Sequence, residues 1–356
     1  MNNISKLDFT GQHLYIGMDV HKKSWSVSIL TDHFEHKTFT QPPDAGVLVN
    51  YLKRNFPGAT YHAVYEAGFS GFWTHDRLRE QGVDCMIANP ADVPTKDKER
   101  AGKTDRVDCR KLARSLRSGE LEGIYVPSRT SVEDRSLLRT RRSMVKKQTR
   151  CKNQITSLLV FYGIHIPEDL AQSRWSKRFI NWIDDIRMER ASGNYSLKAY
   201  LEELNHIRRI LADLNRHILA LSRTDEYRSN VMLLKTVPGI STLTAMTLLT
   251  ELNDIKRFSS LDRLASYAGL IPNTNSSGEK NNTTGITNRR NPVLRGILIE
   301  SAWVAARKDP ALVMAFDRFC LHMTKTNAIV HIARKLLNRI RYVLKNQKDY
   351  VPAVVQ

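Results

Sequence analysis

The fold of this chain is decided by six residues near its start, which read Leu14-Tyr15-Ile16-Gly17-Met18-Asp19. A short apolar run of this kind predicts a buried β-strand. The strand ends on a carboxylate, and burying an unpaired carboxylate costs free energy. A metal ion or a basic partner is the usual remedy, so Asp19 is the first candidate site residue.

The rest of the N-terminal third continues this strand as a meander and then alternates helix and strand. Two further strands are predicted at 25–30 and 36–40, because apolar and polar residues alternate between short polar turns. Helices are predicted at 45–55, 69–81 and 105–117, and strands at 61–65 and 83–88. The order β-β-β-α-β-α-β-α is that of the RNase H-like fold. We therefore predict an α/β N-terminal domain with a mixed sheet over residues 1–130.

Three more carboxylates stand where this fold collects acids in one site. Glu66 ends the fourth predicted strand, and Asp105 and Asp108 share one face of a predicted helix. Mg²⁺ takes carboxylate and phosphate oxygens, and two such ions about 4 Å apart stabilise both oxygens of a phosphodiester displacement. We predict that these three acids and Asp19 hold catalytic Mg²⁺, with Mn²⁺ as the alternative ion. Each acid alone also fits a structural role, such as a strand-end turn or a helix cap.

The overall charge points to a polyanionic partner. The chain has 356 residues and a formal net charge of +19, so nucleic acid is the first candidate and a merely basic protein the alternative. The four cysteines lie far apart, without the spacing of a zinc site or a disulfide framework. Residues 1–12 lack a signal-peptide core and no apolar run approaches ~18 residues, so we expect a cytoplasmic protein without a membrane span.

Residues 131–228 predict a basic helical region. Lysines and arginines crowd residues 135–152 on an amphipathic helix whose basic face suits phosphate contacts or simply solvent. Apolar residues from Leu204 to Leu221 then alternate spacings of three and four over nearly three heptads. This pattern predicts either an intermolecular coiled coil or an intramolecular helical hairpin with 133–162. The candidate nucleic-acid contacts here are Arg139, Arg142 and Lys146.

Residues 229–356 predict a third, mainly α-helical domain. Two short helices joined by Pro238-Gly239 look like a helix-hairpin-helix, whose turn amides hold phosphate, although an ordinary helical corner fits as well. Residues 271–290 are rich in turn formers and predict a long polar loop, and long ordered loops are often functional. Within it Ser277 is a candidate nucleophile, but taken alone Ser-Ser-Gly favours an ordinary loop. Candidate phosphate clamps are Arg289, Arg290 and Arg295.

Taken together, the motifs resemble the transposases of the insertion sequence 110 family, also called DEDD transposases. The N-terminal ones are Tyr15-Ile16-Gly17-Met18-Asp19-Val20-His21-Lys22, Tyr65-Glu66-Ala67-Gly68 and Lys103-Thr104-Asp105-Arg106-Val107-Asp108-Cys109-Arg110-Lys111-Leu112-Ala113. The C-terminal ones are Val237-Pro238-Gly239-Ile240, Arg257-Phe258, Tyr267-Ala268-Gly269-Leu270-Ile271-Pro272, Ser277-Gly278 and Leu294-Arg295. The resemblance runs nearly end to end, and it is specific because these motifs occur in this order and at this separation.

The chain departs from the family pattern at two places. Ala67-Gly68 lacks the hydroxyl that relatives usually carry in Ala-Thr-Gly after the glutamate. After Gly285 the chain has Arg289 and Arg290 near the place where many relatives have Ser-Lys-x-Gly, so an arginine would replace that lysine. All the expected catalytic positions are unaltered.

The resemblance implies a RuvC-like N-terminal domain carrying the four acids, and a C-terminal domain that supplies Ser277 as nucleophile, with Ser276 as the neighbouring alternative. It also implies a bacterial, nucleoid-associated recombinase that a non-coding bridge RNA directs to donor and target DNA. A homo-oligomer, a dimer of dimers, is expected. Because the sequence places no histidine to activate the serine, we expect the metal, or a hydroxide bound to it, to activate the serine and take its proton. The alternatives are a RuvC-like junction nuclease that uses water and a non-catalytic nucleic-acid-binding scaffold.

Overall fold

The computed structural model describes residues 8–94, 104–277, 280–287 and 290–352, with the backbone alone for 273–277 and 280–284. The chain divides into two compact units, Met1–Val126 and Pro127–Gln356. Each unit has its own buried apolar core. The division of the chain into three domains, at 130 and 228, stays a prediction.

The N-terminal unit is built on a five-stranded sheet, and this confirms the predicted mixed α/β domain. Its strands are β1 (His13–Val20), β2 (Trp25–Thr31), β3 (Glu35–Gln41), β4 (Thr60–Glu66) and β5 (Asp84–Ala88). They lie in the order β3-β2-β1-β4-β5. The strands β1, β2 and β3 form an antiparallel meander, whereas β4 pairs in parallel with both β1 and β5. The organising strand β1 is therefore the centre of the sheet.

Within the described residues of this unit, three α-helices accompany the sheet in the predicted order. They are α1 (Ala45–Asn55), α2 (Trp73–Glu80) and α3 (Asp105–Arg117), with a short 3-10 helix at Pro90–Asp92. The predicted start of α2 at residue 69 is wrong, because residues 68–71 form a turn instead. In that turn the Gly71 amide donates to the carbonyl of Gly68 at 3.3 Å. Gly71 has a φ of +60°, which a continuing right-handed helix does not allow.

The close approach of α3 to β1 depends on Gly17. A Cβ at this position would lie 2.0 Å from the carbonyl oxygen of Cys109 and 2.4 Å from the amide nitrogen of Ala113. Any side chain at residue 17 would therefore push the helix backbone off the strand. Because α3 lies directly on β1, its first turn reaches the end of the strand that carries Asp19.

The C-terminal unit is mainly helical, as predicted. Its helices are α4 (Arg129–Phe161), α5 (Glu168–Ala171), α6 (Lys177–Asp185), α7 (Ala191–Leu221), α8 (Asp225–Lys235), α9 (Thr242–Leu252), α10 (Leu261–Ala268), α11 (Pro292–Lys308), α12 (Pro310–Cys320) and α13 (Lys325–Asn346). The corner at Pro238-Gly239 does join two short helices, α8 and α9. Among the described residues no helix combines the length and the apolar character needed to cross a membrane.

The heptad seam of α7 packs within the chain. Its residues Leu204, Ile207 and Leu211 share a buried cluster with Cys151 and Ile155 of α4. The structure therefore has the intramolecular helical hairpin, and the coiled coil is not confirmed. A heptad pattern specifies an apolar stripe along a helix, and an apolar stripe does not identify the partner that covers it.

The long loop predicted for residues 271–290 is wrong, because this segment is largely a β-hairpin. Strands β6 (Pro272–Ser277) and β7 (Lys280–Ile286) pair antiparallel, with Ser277 opposite Lys280. The asparagines and serines here resemble a loop in composition, but Thr274 and Thr283 are β-branched residues that suit paired strands. Ser277 is the last residue of β6.

Candidate active site

The four acids predicted as metal ligands line one cleft of about 440 Å³ in the N-terminal unit. Asp19 is near the end of β1 and Glu66 ends β4, and these neighbouring strands are parallel, so their carboxyl ends meet at one edge of the sheet. Asp105 and Asp108 reach the same edge from the first turn of α3. The topology thus gathers residues that are far apart in the sequence.

The start of α3 shows which residue caps this helix. The Thr104 hydroxyl accepts a hydrogen bond from the Val107 amide at 3.3 Å, so Thr104 is the N-cap. The structural alternative for Asp105, a helix cap, is therefore not realised. Because the N-terminus of a helix carries partial positive charge, the first turn of α3 is a favourable place for the side chains of Asp105 and Asp108.

A histidine that the sequence reasoning missed completes the cleft. The Nε2 atom of His21 lies 3.2 Å from Oδ2 of Asp19 and 3.8 Å from Oδ2 of Asp105. One candidate ligand atom from each of these three residues lies within 4.8 Å of the other two. From the sequence, His21 was not assigned to this site, and the expectation about how the serine loses its proton stays a prediction. The signal was the position of His21 two residues after Asp19, directly beyond the end of β1, because side chains two apart in an extended chain lie on the same side.

The electrostatics of the cleft suit a cation. Burial raises the pKa of Asp19, His21 opposes this shift, and the negative charges of Asp105 and Asp108 add to it. The amine of Lys111 lies 3.7 Å from Oδ1 of Asp108 and offsets part of that charge. Clustered carboxylates at the mouth of a cleft offer the oxygen donors that hard divalent cations prefer. The residues present therefore fit a divalent metal ion.

The basic candidates on α4 differ in what they contact. Arg139 forms a two-pronged ion pair with Glu251, its Nε 2.7 Å from Oε1 and its Nη2 2.9 Å from Oε2. Arg142 donates to the carbonyl of Pro292 at 3.1 Å. Lys146 is exposed. Of these three side chains, Arg139 is engaged by a buried acid and Lys146 projects into solvent.

The candidates around the hairpin are described to different extents. Arg295 donates from Nη1 to the carbonyl of Thr287 at 3.1 Å, beside the end of β7. Arg290 is exposed, and Arg289 lies outside the described residues. The Ser277 side chain also lies outside the described part of the chain, so its position is known only as the end of β6.

A buried network around Glu251 was also missed from the sequence. Its carboxylate accepts from Nδ2 of Asn291 at 2.8 Å as well as from Arg139. The Asn291 side chain in turn caps α11 by accepting from two of its amides. Burial raises the pKa of Glu251, but the hydrogen bonds from Arg139 and Asn291, together with the positive charges of Arg139 and Arg135, leave the pKa below its usual value. The available signal was a lone glutamate among the apolar residues of α9.

Two family models match the chain. One, described as "Transposase" and designated DEDD_Tnp_IS110, matches residues 16–164. The other, described as "Transposase IS116/IS110/IS902 family", matches residues 231–316. The first match contains the four acids of the cleft, and the second contains the β6–β7 hairpin.

Curated relatives are similar over most of their length. The putative transposase y4qE of Sinorhizobium fredii is 26% identical over 295 residues, which cover 81% of this chain and 71% of the relative. The transposase for insertion sequence element IS1533 of Leptospira borgpetersenii is 25% identical over 85% of this chain and 92% of its own. The pilin gene-inverting protein of Moraxella lacunata is 24% identical over 94% of this chain and 97% of its own.

Proposed function

Because the chain belongs to the IS110 family of transposases, we propose that it exchanges DNA strands for an insertion sequence by a metal-dependent reaction with a serine nucleophile. The observation that carries this proposal is the convergence of Asp19, Glu66, Asp105 and Asp108 on one cleft. Two of these acids lie on strands of the sheet and two on the helix α3, and we interpret the N-terminal unit that contains them as RuvC-like. Four acids in one cleft are costly for folding alone and useful for handling phosphate.

The acids of the cleft would hold a divalent cation, Mg²⁺ or Mn²⁺. When bound, such an ion neutralises part of the phosphate charge and lowers the pKa of a hydroxyl that it binds. His21 is placed to orient the Asp19 carboxylate through their 3.2 Å contact. Lys111 lies near Asp108 and balances part of the negative charge there.

Ser277 is the proposed nucleophile. Its hydroxyl would lose a proton, and its oxygen would form a bond to phosphorus while the bond from phosphorus to a deoxyribose oxygen breaks. That oxygen would take up a proton and leave as a hydroxyl, so that no proton is gained or lost in the exchange. The resulting phosphoserine ester conserves the bond energy, so that a second strand can be joined without an outside energy source. The position of Ser277 as the last paired residue before the connection of a hairpin supports this role.

The proposed partners are donor DNA, target DNA and a bridge RNA encoded by the element. The net charge of +19 supports polyanionic partners. In this proposal RNA base pairing selects the DNA sequence, and the protein contacts phosphates, as in other guide-directed enzymes. We further propose a homo-oligomer, a dimer of dimers, in which the exposed faces of the long α4 and α7 helices are available for coiled-coil contacts between subunits.

A covalent-trapping experiment tests the proposal. Purified protein is incubated with element RNA, donor DNA, target DNA and Mg²⁺, quenched in denaturant and separated on a denaturing gel. The panel contains wild type, Ser277→Ala, Ser276→Ala and Asp105→Ala. We expect a shifted protein–DNA band in wild type and Ser276→Ala, and its loss in the other two variants.

Other outcomes identify the alternatives. Cleaved DNA without a covalent band, insensitive to Ser277→Ala, would overturn the serine mechanism and support the water-using nuclease. Activity that persists in Asp105→Ala would contradict any role for the cleft. A reaction without the RNA tests guidance separately. Strand exchange that does not need RNA would contradict the proposed guide but not the proposed recombinase activity.

A further inference from the structure

An exposed phenylalanine stands at the mouth of the carboxylate cleft. Phe69 lines the cleft together with Asp19 and Glu66, yet 71% of its surface is open to solvent. An aromatic side chain contributes stability mainly by burial, so a phenylalanine left in water does little for the fold. Its neighbour Phe72 packs against the core of the unit, which shows that this segment has an apolar anchor without Phe69.

The backbone holds Phe69 in this exposed position. It is the second residue of the turn closed by the hydrogen bond from the Gly71 amide to the Gly68 carbonyl. The hydroxyl of Tyr65, a fully buried residue of β4, donates to the carbonyl of Gly71 at 3.1 Å. These hydrogen bonds anchor the turn to the sheet, and the anchored turn holds the Phe69 ring in its exposed position.

A second aromatic residue of the same connection is also partly open. Trp73 begins α2, is 46% exposed and lies 5.8 Å, centroid to centroid, from the fully buried ring of Trp25. One part of its ring is therefore supported from inside the protein while another remains accessible. The connection between β4 and α2 offers two aromatic surfaces beside a site for phosphate chemistry.

We propose that Phe69 is a stacking platform for an unpaired nucleobase next to the scissile phosphate, with Trp73 extending the same surface. The inference deepens the proposed function and rests on it, because it requires the cleft to handle a DNA strand. Stacking on an aromatic ring holds single-stranded nucleic acid without regard to sequence, since every base has a π-face. Such a site would hold a base out of the duplex while its phosphate lies at the acids.

The charges near the cleft favour nucleic acid over an apolar partner. Lys22 and Lys23 are exposed immediately after His21, and Arg106 is exposed on the first turn of α3. Cations around an aromatic surface match a phosphate backbone that carries bases. A protein or lipid partner would instead be expected to cover a continuous apolar surface.

The test measures binding and contact rather than turnover. A single-stranded DNA of mixed sequence with one iodouracil is bound in Ca²⁺, which adds charge but differs from Mg²⁺ in size and geometry. Affinity and photo-crosslinking are compared for wild type, Phe69→Ala, Phe69→Leu and Phe69→Tyr. The matched control is Phe34→Ala, because Phe34 is 57% exposed in the β2–β3 turn, at the opposite edge of the sheet.

We expect Phe69→Ala and Phe69→Leu to weaken single-strand binding by about 5- to 100-fold and to lose a crosslink that maps to residues 69–73. Phe69→Tyr and Phe34→Ala should bind as wild type, and a fully paired duplex should show little dependence on residue 69. Unchanged affinity in Phe69→Ala, or crosslinks that map elsewhere in wild type, would overturn the inference. Failure of the covalent-trapping experiment would overturn the proposed function and leave this binding result standing.

Discussion

Each of the two units of this protein contains an acid that is shielded from solvent, Asp19 in the N-terminal cleft and Glu251 in the C-terminal unit, and the pKa values of these two acids are shifted in opposite directions. In the N-terminal cleft, burial and the charges of Asp105 and Asp108 raise the pKa of Asp19 against the influence of His21. In the C-terminal unit, Glu251 is the more deeply buried acid, with 1% of its side chain exposed, yet its pKa is lowered.

The difference lies in the partners. The charge of Glu251 is met inside the protein by Arg139 and Asn291, so this acid holds helices α4 and α9 and the start of α11 together. The four acids of the cleft instead line one cavity together, where we propose that a divalent cation binds. A buried acid whose charge is met by an arginine and an amide indicates structure, whereas a cluster of acids that includes one carboxyl with a raised pKa, here Asp19, indicates a functional site.

The largest effect that separates the two regions is expected in catalysis. Asp105→Ala should reduce DNA cleavage by about a thousandfold, because a metal ion supplies several kcal/mol of transition-state stabilisation. It should hardly change the melting temperature, since the Asp105 side chain is 62% exposed. The matched control is Asp84→Ala, a 66% exposed acid at the start of β5, which should retain activity. An equal loss of DNA cleavage in Asp105→Ala and Asp84→Ala would contradict the assignment of the cleft as the catalytic site.

The next effect is expected in stability. Glu251→Gln should lower the free energy of unfolding by about 3 kcal/mol, because it leaves the charge of Arg139 without its partner. Urea denaturation at neutral pH measures the loss. Glu300→Gln on α11 is the control, because Glu300 is exposed, and it should change stability little. A neutral result for Glu251→Gln would show that the network contributes no net stability.

The pH dependence of that variant sharpens the same comparison. A lowered pKa means that ionised Glu251 stabilises the folded state above its ordinary value of 4.5, and that this contribution is lost as the pH falls through the lowered pKa. Glutamine does not titrate, so the stability gap between wild type and Glu251→Gln should be constant near neutrality and narrow in acid. A stability gap that widens in acid would contradict the lowered pKa of Glu251.

A somewhat smaller effect is expected from metal addition. Mg²⁺ or Mn²⁺ at a hundred times its dissociation constant should stabilise the folded wild type by about 2.7 kcal/mol, and Asp19→Asn should lose most of this gain. Because the pKa of Asp19 is raised, protons compete with the ion, and the gain should shrink as the pH is lowered. Thermal denaturation with and without metal measures it. Stabilisation that is equal in Asp19→Asn would place the ion elsewhere.

The smallest effect concerns the basic face of α4. Lys146→Ala removes an exposed cation, so it should weaken nucleic-acid binding a few-fold and reduce the slope of log affinity against log salt by about one. The matched change Arg139→Ala should instead lower stability, because it leaves the buried charge of Glu251 without its ion-pair partner. Salt titrations and urea denaturation, run on both variants, tell the two roles apart. If Arg139→Ala weakened nucleic-acid binding and left stability unchanged, as expected for Lys146→Ala, the structural role of Arg139 would be contradicted.

Much of the N-terminal unit could be predicted, because its signals are local. Apolar alternation located β1 to β5, and the bounds of α1 and α3 were predicted to the residue. The hairpin at residues 272–286 could not be located in this way, because its asparagines, serines and threonines resemble a loop until a partner strand pairs with them. The α7 seam likewise showed an apolar stripe without identifying α4 as the helix that covers it.

By itself the sequence determined the family, the order of elements in the N-terminal unit and the four acids at the ends of strands and in the first turn of a helix. These properties follow from spacing along the chain. Only the tertiary structure decided that His21 also lies near Asp105, that Phe69 is exposed at the cleft, and that Arg139 pairs with Glu251, 112 residues away. Contacts of this kind depend on how helices and strands pack, and packing brings together side chains whose distance along the sequence carries no signal.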